Sequence, residues 1–267
     1  MYLLINILKR IIFLITQRVV ESNQKIDPQV AIFAFDRIAL KIMIYGQFEK
    51  EELNVLRREV FSKIDPQKHC LDIGANIGNH SLAFAKHFSV VHAFEPNERT
   101  FNLLKINSKL VSNIIPYNIG ASNCNATFDA SENNTNYGNT RIIDKSQEAF
   151  DIATIQFECK ILDEYLPQEV IERIGFIKID VEGHEHASLL GCRKIIESYK
   201  PVIVFELLKE DISNNSSDVY NYLKNMGYSC FYEMNNSVLF RKKLQKMDNI
   251  KYKKYKMIVA SCFSILD

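Results

Sequence analysis

Between His69 and Leu207 the chain repeats one pattern: a short apolar run, then a stretch with apolar residues at helical spacing. HCLDI (69–73), VVHAFE (90–95), IIPYN (114–118), FIKID (176–180) and PVIVFEL (201–207) read as strands. The intervening segments at about 79–87, 98–109 and 184–198 read as amphipathic helices. Strands alternating with helices form βαβ units, and βαβ units build a parallel sheet covered on both faces. Near-continuous apolar strands are what such a sheet requires, because both of its faces are buried. At 267 residues the chain can build one large α/β domain with additions.

The rhythm fails in four places. Residues 119–150, rich in Asn, Ser and Thr, read as a loop with short hairpin strands, and TIQFECKI (154–161) as an extra strand before a short helix at LDEYL. After a helix near 215–226, YSCFYE (228–233) and SVLFRK (237–242) read as a closing antiparallel pair. Residues 25–65 look helical and peripheral, and the amphipathic EKEELNVLRREVFSKI stops at Asp65-Pro66. The ends are the fourth irregularity. MYLLINILKRIIFLITQRVV is apolar but interrupted by Lys9, Arg10 and Arg18, too charged for a spanning helix and lacking a cleavage site. Such a helix either packs on the domain or lies in a membrane surface. The lysine-rich run from Arg241 reads by default as a solvated helix face, with a membrane or polyanion contact as the alternative. The expected organisation is therefore a helical extension (1–65), a core domain (66–240) and a basic tail (241–267).

A formal net charge of +1 gives no global field for nucleic acid, and none is expected as a partner. Six widely spaced cysteines without a C-x-x-C pair suggest buried free thiols in a reducing, cytoplasmic setting.

Chemistry concentrates at strand ends. The first strand runs into Asp72-Ile73-Gly74-Ala75-Asn76-Ile77-Gly78 and then a helix. Glycines there permit a sharp turn and close approach of a ligand. A dinucleotide, a flavin or S-adenosylmethionine could all use such a loop. Two details favour the last. The spacing is G-x-x-x-G, not the pyrophosphate-fitted G-x-G-x-x-G. Asp72 would repel a pyrophosphate but attract the ammonium of a methionine moiety, directly or through water. Ala75 and Asn76 complete the expected cofactor loop. Glu95 closes the next strand, where a carboxylate can accept from ribose hydroxyls, and Asn118 closes the third as a candidate adenine neighbour. On the acceptor side, strand four ends in Asp180-Val181-Glu182-Gly183-His184-Glu185-His186. A hydroxyl acceptor must lose its proton as methyl transfer proceeds, and Asp180, Glu182 or His184 could take it. Glu206, ending strand five, would face the same cleft. A divalent metal on Asp180, Glu182 and Glu206 is a second option, but no metal ligand is assigned. His186 is expected simply to open the next helix, and Glu185 could do the same.

D-I-G-A-N-I-G, H-A-F-E-P-N, L-D-E-Y-L and I-K-I-D-V-E-G-H-E followed by L-L-G resemble the FkbM family of methyltransferases, and Tyr45-Gly46-Gln47-Phe48-Glu49 resembles that family's entry segment. The resemblance covers roughly residues 45–240. It implies a Rossmann-like class I methyltransferase fold, a doubly wound, mostly parallel seven-stranded sheet with an antiparallel last strand, here with an N-terminal helical extension. It also implies S-adenosyl-L-methionine as donor and O-methylation, often of a sugar or polyketide hydroxyl. Asp72, Gly74, Gly78 and Glu95 match the family's cofactor positions. Asp180, Glu182 and Glu185 match its acidic motif, whereas His184 falls on that motif's variable position. The expected acceptor is a small-molecule, glycan or glycolipid hydroxyl, with peripheral contact to the inner membrane face through residues 1–20 and 241–256. A nitrogen or small-metabolite acceptor, and a non-catalytic scaffold, are the alternatives.

Overall fold

The computed structural model describes residues 2–25, 29–34, 36–131, 140–142, 154–213, 216–236 and 242–266. The chain divides into two compact units, Met1–Lys50 and Glu51–Asp267. Residues 51–65 therefore fold with the sheet rather than with the preceding helices.

The first unit holds α1 (Tyr2–Asn23) and α2 (Arg37–Tyr45). Asn23 Nδ2 donates to the carbonyls of Met43 and Ile44, at 3.0 and 3.1 Å, and ties the end of one helix to the end of the other. Gly46 stops α2 because it can adopt φ 81°, which lets its N–H return to Ile42 O.

The second unit opens with α3 (Lys50–Val55), which continues through a π-helical turn (Leu56–Val60) and a short 3-10 turn (Phe61–Lys63). Phe61, which opens the 3-10 turn, packs edge-on to Phe84 and Phe176, both fully buried. Then follow β1 (His69–Ile73), α4 (Asn79–Phe84), β2 (Val90–Phe94), α5 (Glu98–Asn107) and β3 (Ile114–Tyr117). A side sheet is built from β4 (Gly120–Ala121), β5 (Ala126–Ser131), β6 (Arg141–Ile142) and β7 (Thr154–Lys160), in the order β4-β7-β5-β6. The chain re-enters through α6 (Leu162–Tyr165), α7 (Gln168–Ile171), β8 (Ile174–Ile179), α8 (Glu185–Leu190), α9 (Arg193–Tyr199) and β9 (Val202–Leu207). It closes with α10 (Asp218–Asn225), β10 (Cys230–Asn236), β11 (Lys242–Lys246) and β12 (Tyr255–Ser261).

The main sheet runs β11-β10-β12-β9-β8-β1-β2-β3. From β9 to β3 every pairing is parallel, and β12, β10 and β11 add antiparallel strands. The chain winds outward from β1 to β3, then returns to β8 on the other side of β1. The switch point therefore lies between β1 and β8, and open α/β sheets bind ligands there, beyond the carboxyl ends of the strands.

Three features depart from the sequence reading. Among the described residues the sheet has eight strands rather than seven, the last three in chain order joined through antiparallel pairings. The basic tail is neither a tail nor a helix face: β12 lies between β9 and β10, its MIVA segment fully enclosed. The flanking lysines concealed that apolar core. β11, which pairs with β10, is an edge strand with only Leu244 buried, where lysines guard an open ladder. The helix expected over 184–198 is two helices, broken at Gly191-Cys192. A Cβ on Gly191 would stand 2.2 Å from Ser122 O, so the backbone there is pressed against the β4 segment. Parts of the Asn-rich insert (132–139, 143–150) and residues 237–241 lie outside the described residues.

All six cysteines are free, and Cys70, Cys159, Cys192 and Cys230 are buried, as expected of reduced core thiols.

Candidate active site

The glycine loop is locked to the ends of two neighbouring strands, β2 and β8. Gly74 N and Ala75 N both donate to Phe94 O, at 3.0 and 2.9 Å, and Asp180 N donates to Ile73 O at 3.1 Å. Gly74, at φ 77°, packs so tightly that a Cβ would meet Asp180 O at 1.9 Å. Asn76 and Gly78 are also left-handed, at φ 51° and 88°. Asparagine tolerates that region better than most side chains.

Glu95, at the end of β2, fastens the loop from the other side. Its Oε2 accepts from Asn76 N at 2.8 Å, and its Oε1 from Asn97 N at 3.0 Å and Thr100 Oγ1 at 2.9 Å. A carboxylate offers about four acceptor positions. Three are taken, so one remains on Oε2, enough for a single ribose hydroxyl rather than two. Burial raises the Glu95 pKa, and these three donors work in the opposite direction.

Asp72 is completely buried under the loop. Its Oδ2 accepts from Ser81 Oγ at 2.6 Å, while Lys178 Nζ stands 3.4 Å from Oδ1. The expected attraction between Asp72 and an incoming ammonium is thus largely met inside the protein. Oδ1 nevertheless makes no hydrogen bond, and Asn97 Nδ2, beside Glu95, is likewise buried without one. Asn118 Nδ2 is spent on the carbonyls of Glu95 and Pro96, at 2.9 and 3.2 Å, so its amide braces the end of β3.

Lys178 had no assigned role in the sequence reading, yet it joins the two halves of the site. It is buried on β8, in register with Asp72 on β1, and donates to Gly74 O at 3.1 Å. Its Nζ is also 3.4 Å from Asp180 Oδ2. A lysine inside an otherwise apolar strand was the available signal.

Asp180, Glu182 and Glu206 converge beyond the strand ends, each with a carboxylate oxygen within 4.8 Å of the others. Glu182 reaches this position from a left-handed backbone (φ 51°), a conformation that costs a non-glycine residue about 1 kcal/mol. Burial, then the Asp180 charge, pushes the Glu206 pKa up to about 7. Lys254 opposes the rise, its Nζ 2.6 Å from Glu206 Oε1. Burial disfavours the Lys254 charge, but Glu206, Glu182 and Asp180 outweigh it and hold that pKa above the usual lysine value. Lys254 comes from the run taken for a solvated tail, which is why it was missed.

His184 is not among the carboxylates. Its Nε2 pairs with Ser122 Oγ at 3.0 Å, its ring meets Phe128 edge-on, and burial lowers its pKa, favouring the neutral ring. Glu185 folds back on the preceding turn, accepting from Val181 N at 3.2 Å and Gly183 N at 3.0 Å. Burial lifts its pKa to about 7 despite those donors. His186 packs against Tyr222.

A doubly wound sheet with a glycine loop at its switch point, an acidic residue closing the second strand and an antiparallel last strand inserted between β9 and β10 is the arrangement of a class I methyltransferase fold. More narrowly, the chain belongs to the FkbM methyltransferases: the model of the methyltransferase FkbM domain matches residues 72–230. Hexuronic acid methyltransferase AglP of Haloferax volcanii is 32% identical over 136 residues, which cover 50% of this chain and 53% of that protein. The crystal structure of a methyltransferase FkbM from Methylobacillus flagellatus KT aligns over 91% of this chain and 59% of that one, at 15% identity and a TM-score of 0.51, and shares the fold. The chain thus spans little more than half the length of either relative.

Proposed function

We propose that the chain transfers a methyl group from S-adenosylmethionine to a hydroxyl of a saccharide. The observation that carries this reading is the juxtaposition, across Lys178, of the glycine loop and the Asp180–Glu182–Glu206 cluster. Four carboxylates lie around Lys178 and Lys254. A surplus of negative charge suits a cationic donor and would disfavour a pyrophosphate. The residues present fit such a donor. Glu95 Oε2 retains one acceptor position beside the glycine loop, and the neighbouring Asn97 Nδ2 is a buried polar atom still lacking a hydrogen bond.

When bound, the donor supplies an electrophilic methyl group on a sulfonium. The chain's own contribution is alignment and deprotonation. Asp180, Glu182 and Glu206 border the acceptor side, and Glu206, its pKa pushed up to about 7, takes the hydroxyl proton as the oxygen–carbon bond forms. Lys254 keeps enough of Glu206 ionised for that role. His184 serves as a positioning residue, holding the α8 start against Ser122. The sugar acceptor is supported by the family and by the hexuronic acid methyltransferase relative.

The deciding experiment is a calorimetric titration with S-adenosylmethionine, with NAD as control, followed by labelled methyl transfer to neutral and acidic oligosaccharides. One-site binding of the first ligand alone, with label retained on a sugar oxygen, is the expected result. Binding of NAD would overturn the donor assignment. Label on nitrogen alone would overturn the acceptor.

A further inference from the structure

The first unit carries a surface that methyl transfer does not use. In α1, eleven large apolar side chains between Tyr2 and Ile15 are 42 to 80% exposed, and no residue of the helix is buried. Contiguous apolar surface on this scale marks an interaction site. At 22 residues the helix is about 33 Å long. Successive residues turn by about 100°, which gathers Leu4, Ile7, Leu8, Ile11 and Ile15 on one broad side. Asn6, Lys9, Arg10 and Gln17 fall on the other.

Three features select the occupant. The apolar arc covers about half the circumference, wider than the two-position seam by which helices pair. Residues 1–20 contain three basic side chains and no acidic one, so their charge complements an anionic surface. Lys9 and Arg10 interrupt the apolar run at its middle, and no helix among the described residues is long and apolar enough to cross a membrane. Lys242, Lys253 and Lys254 are, by contrast, already paired with Glu52, Glu233 and Glu206. Three lysines of the second basic segment expected at a membrane are thus engaged within the fold.

We propose that α1 lies in the interface of an anionic lipid bilayer, with its apolar arc among the acyl chains and Lys9 and Arg10 at the headgroups. This is independent of the reaction assigned to the second unit. It would confine the enzyme to acceptors presented at a membrane surface.

The test is sedimentation of the full-length protein with phosphatidylcholine vesicles, with and without phosphatidylglycerol. Binding to the anionic vesicles is expected. Neutralising Lys9→Gln with Arg10→Gln should weaken it by on the order of tenfold at low salt. Ile11→Glu with Ile15→Glu should abolish it while donor binding and the folded circular dichroism signal persist. Failure of the wild-type protein to sediment overturns the proposal. Light scattering then separates the remaining occupants, a dimer meaning a second copy and a monomer meaning packing on the same chain. Equal binding by the Ile11→Glu, Ile15→Glu protein would overturn it too.

Discussion

The two halves of the site are built in opposite ways. On the glycine-loop side the carboxylates accept from backbone N–H and hydroxyl donors, and Glu95 alone collects three hydrogen bonds. On the far side Asp180, Glu182 and Glu206 crowd like charges together, one of them from a left-handed backbone. The first half is rigid before any ligand arrives. The second holds electrostatic tension that a proton or a cation relieves. Binding calls for the former and proton transfer for the latter. Lys178 lets them coexist by sharing its single positive charge between Asp72 and Asp180, 3.4 Å from each.

The sharpest way to break the rigid half is Gly74→Ala. The new methyl group would collide with the Asp180 carbonyl at the end of β8, in a backbone region that alanine disfavours. A loss of about 3 kcal/mol in stability is expected, together with loss of donor binding. Urea unfolding and calorimetry check it, and a variant with unchanged midpoint and affinity would refute the locked-loop description.

Glu206→Gln tests the tense half. Turnover should fall on the order of 100-fold, with donor affinity nearly unchanged. The wild-type rate should rise with pH through about 7, because burial and Asp180 keep Glu206 protonated below that value and a protonated base cannot accept. The variant should lose this limb. A limb that survives assigns the proton to Glu182 or Asp180.

Glu95→Ala returns to the rigid side with a smaller effect. Donor affinity should weaken by about 1–3 kcal/mol, the range for charge-assisted hydrogen bonds. Turnover at saturating donor should stay close to wild type. Because one acceptor position of Glu95 is open, a donor analogue lacking a single ribose hydroxyl should lose affinity at one position of the ribose only.

The contrast also explains what could be read without coordinates. Strands β1, β2, β8 and β9 were legible because each buries both faces and so appears as a mostly apolar run. The loop was legible because its backbone geometry demands glycine at Gly74, where no Cβ fits. Charge partners were not legible. Asp72 and Lys178 meet through the register of β1 on β8, a pairing of residues distant in sequence. The break at Gly191 depends on close approach to Ser122, again a long-range fact. Around β12, lysine density outweighed a four-residue apolar core, and the strand that delivers Lys254 to Glu206 passed for a solvated tail. Local pattern reports burial well, but it cannot report which buried charge faces which.

Lys254 therefore offers the finest test of the comparison, since it is the only link between that misread segment and the proposed base among the described ion pairs. Its positive charge favours ionised Glu206 and so pulls that pKa down. Lys254→Met removes the pull, and the Glu206 pKa should climb above its already raised value, by roughly a unit. The rising limb of the rate profile should move to higher pH by the same amount. At pH 7 the rate should fall severalfold, while well above the limb it should match wild type, because the base itself is intact. A surface lysine without this role would leave the profile in place. A uniform loss at every pH would instead mean that Lys254 holds the acceptor rather than the proton balance. In that case the tense half, like the glycine loop, would work by positioning.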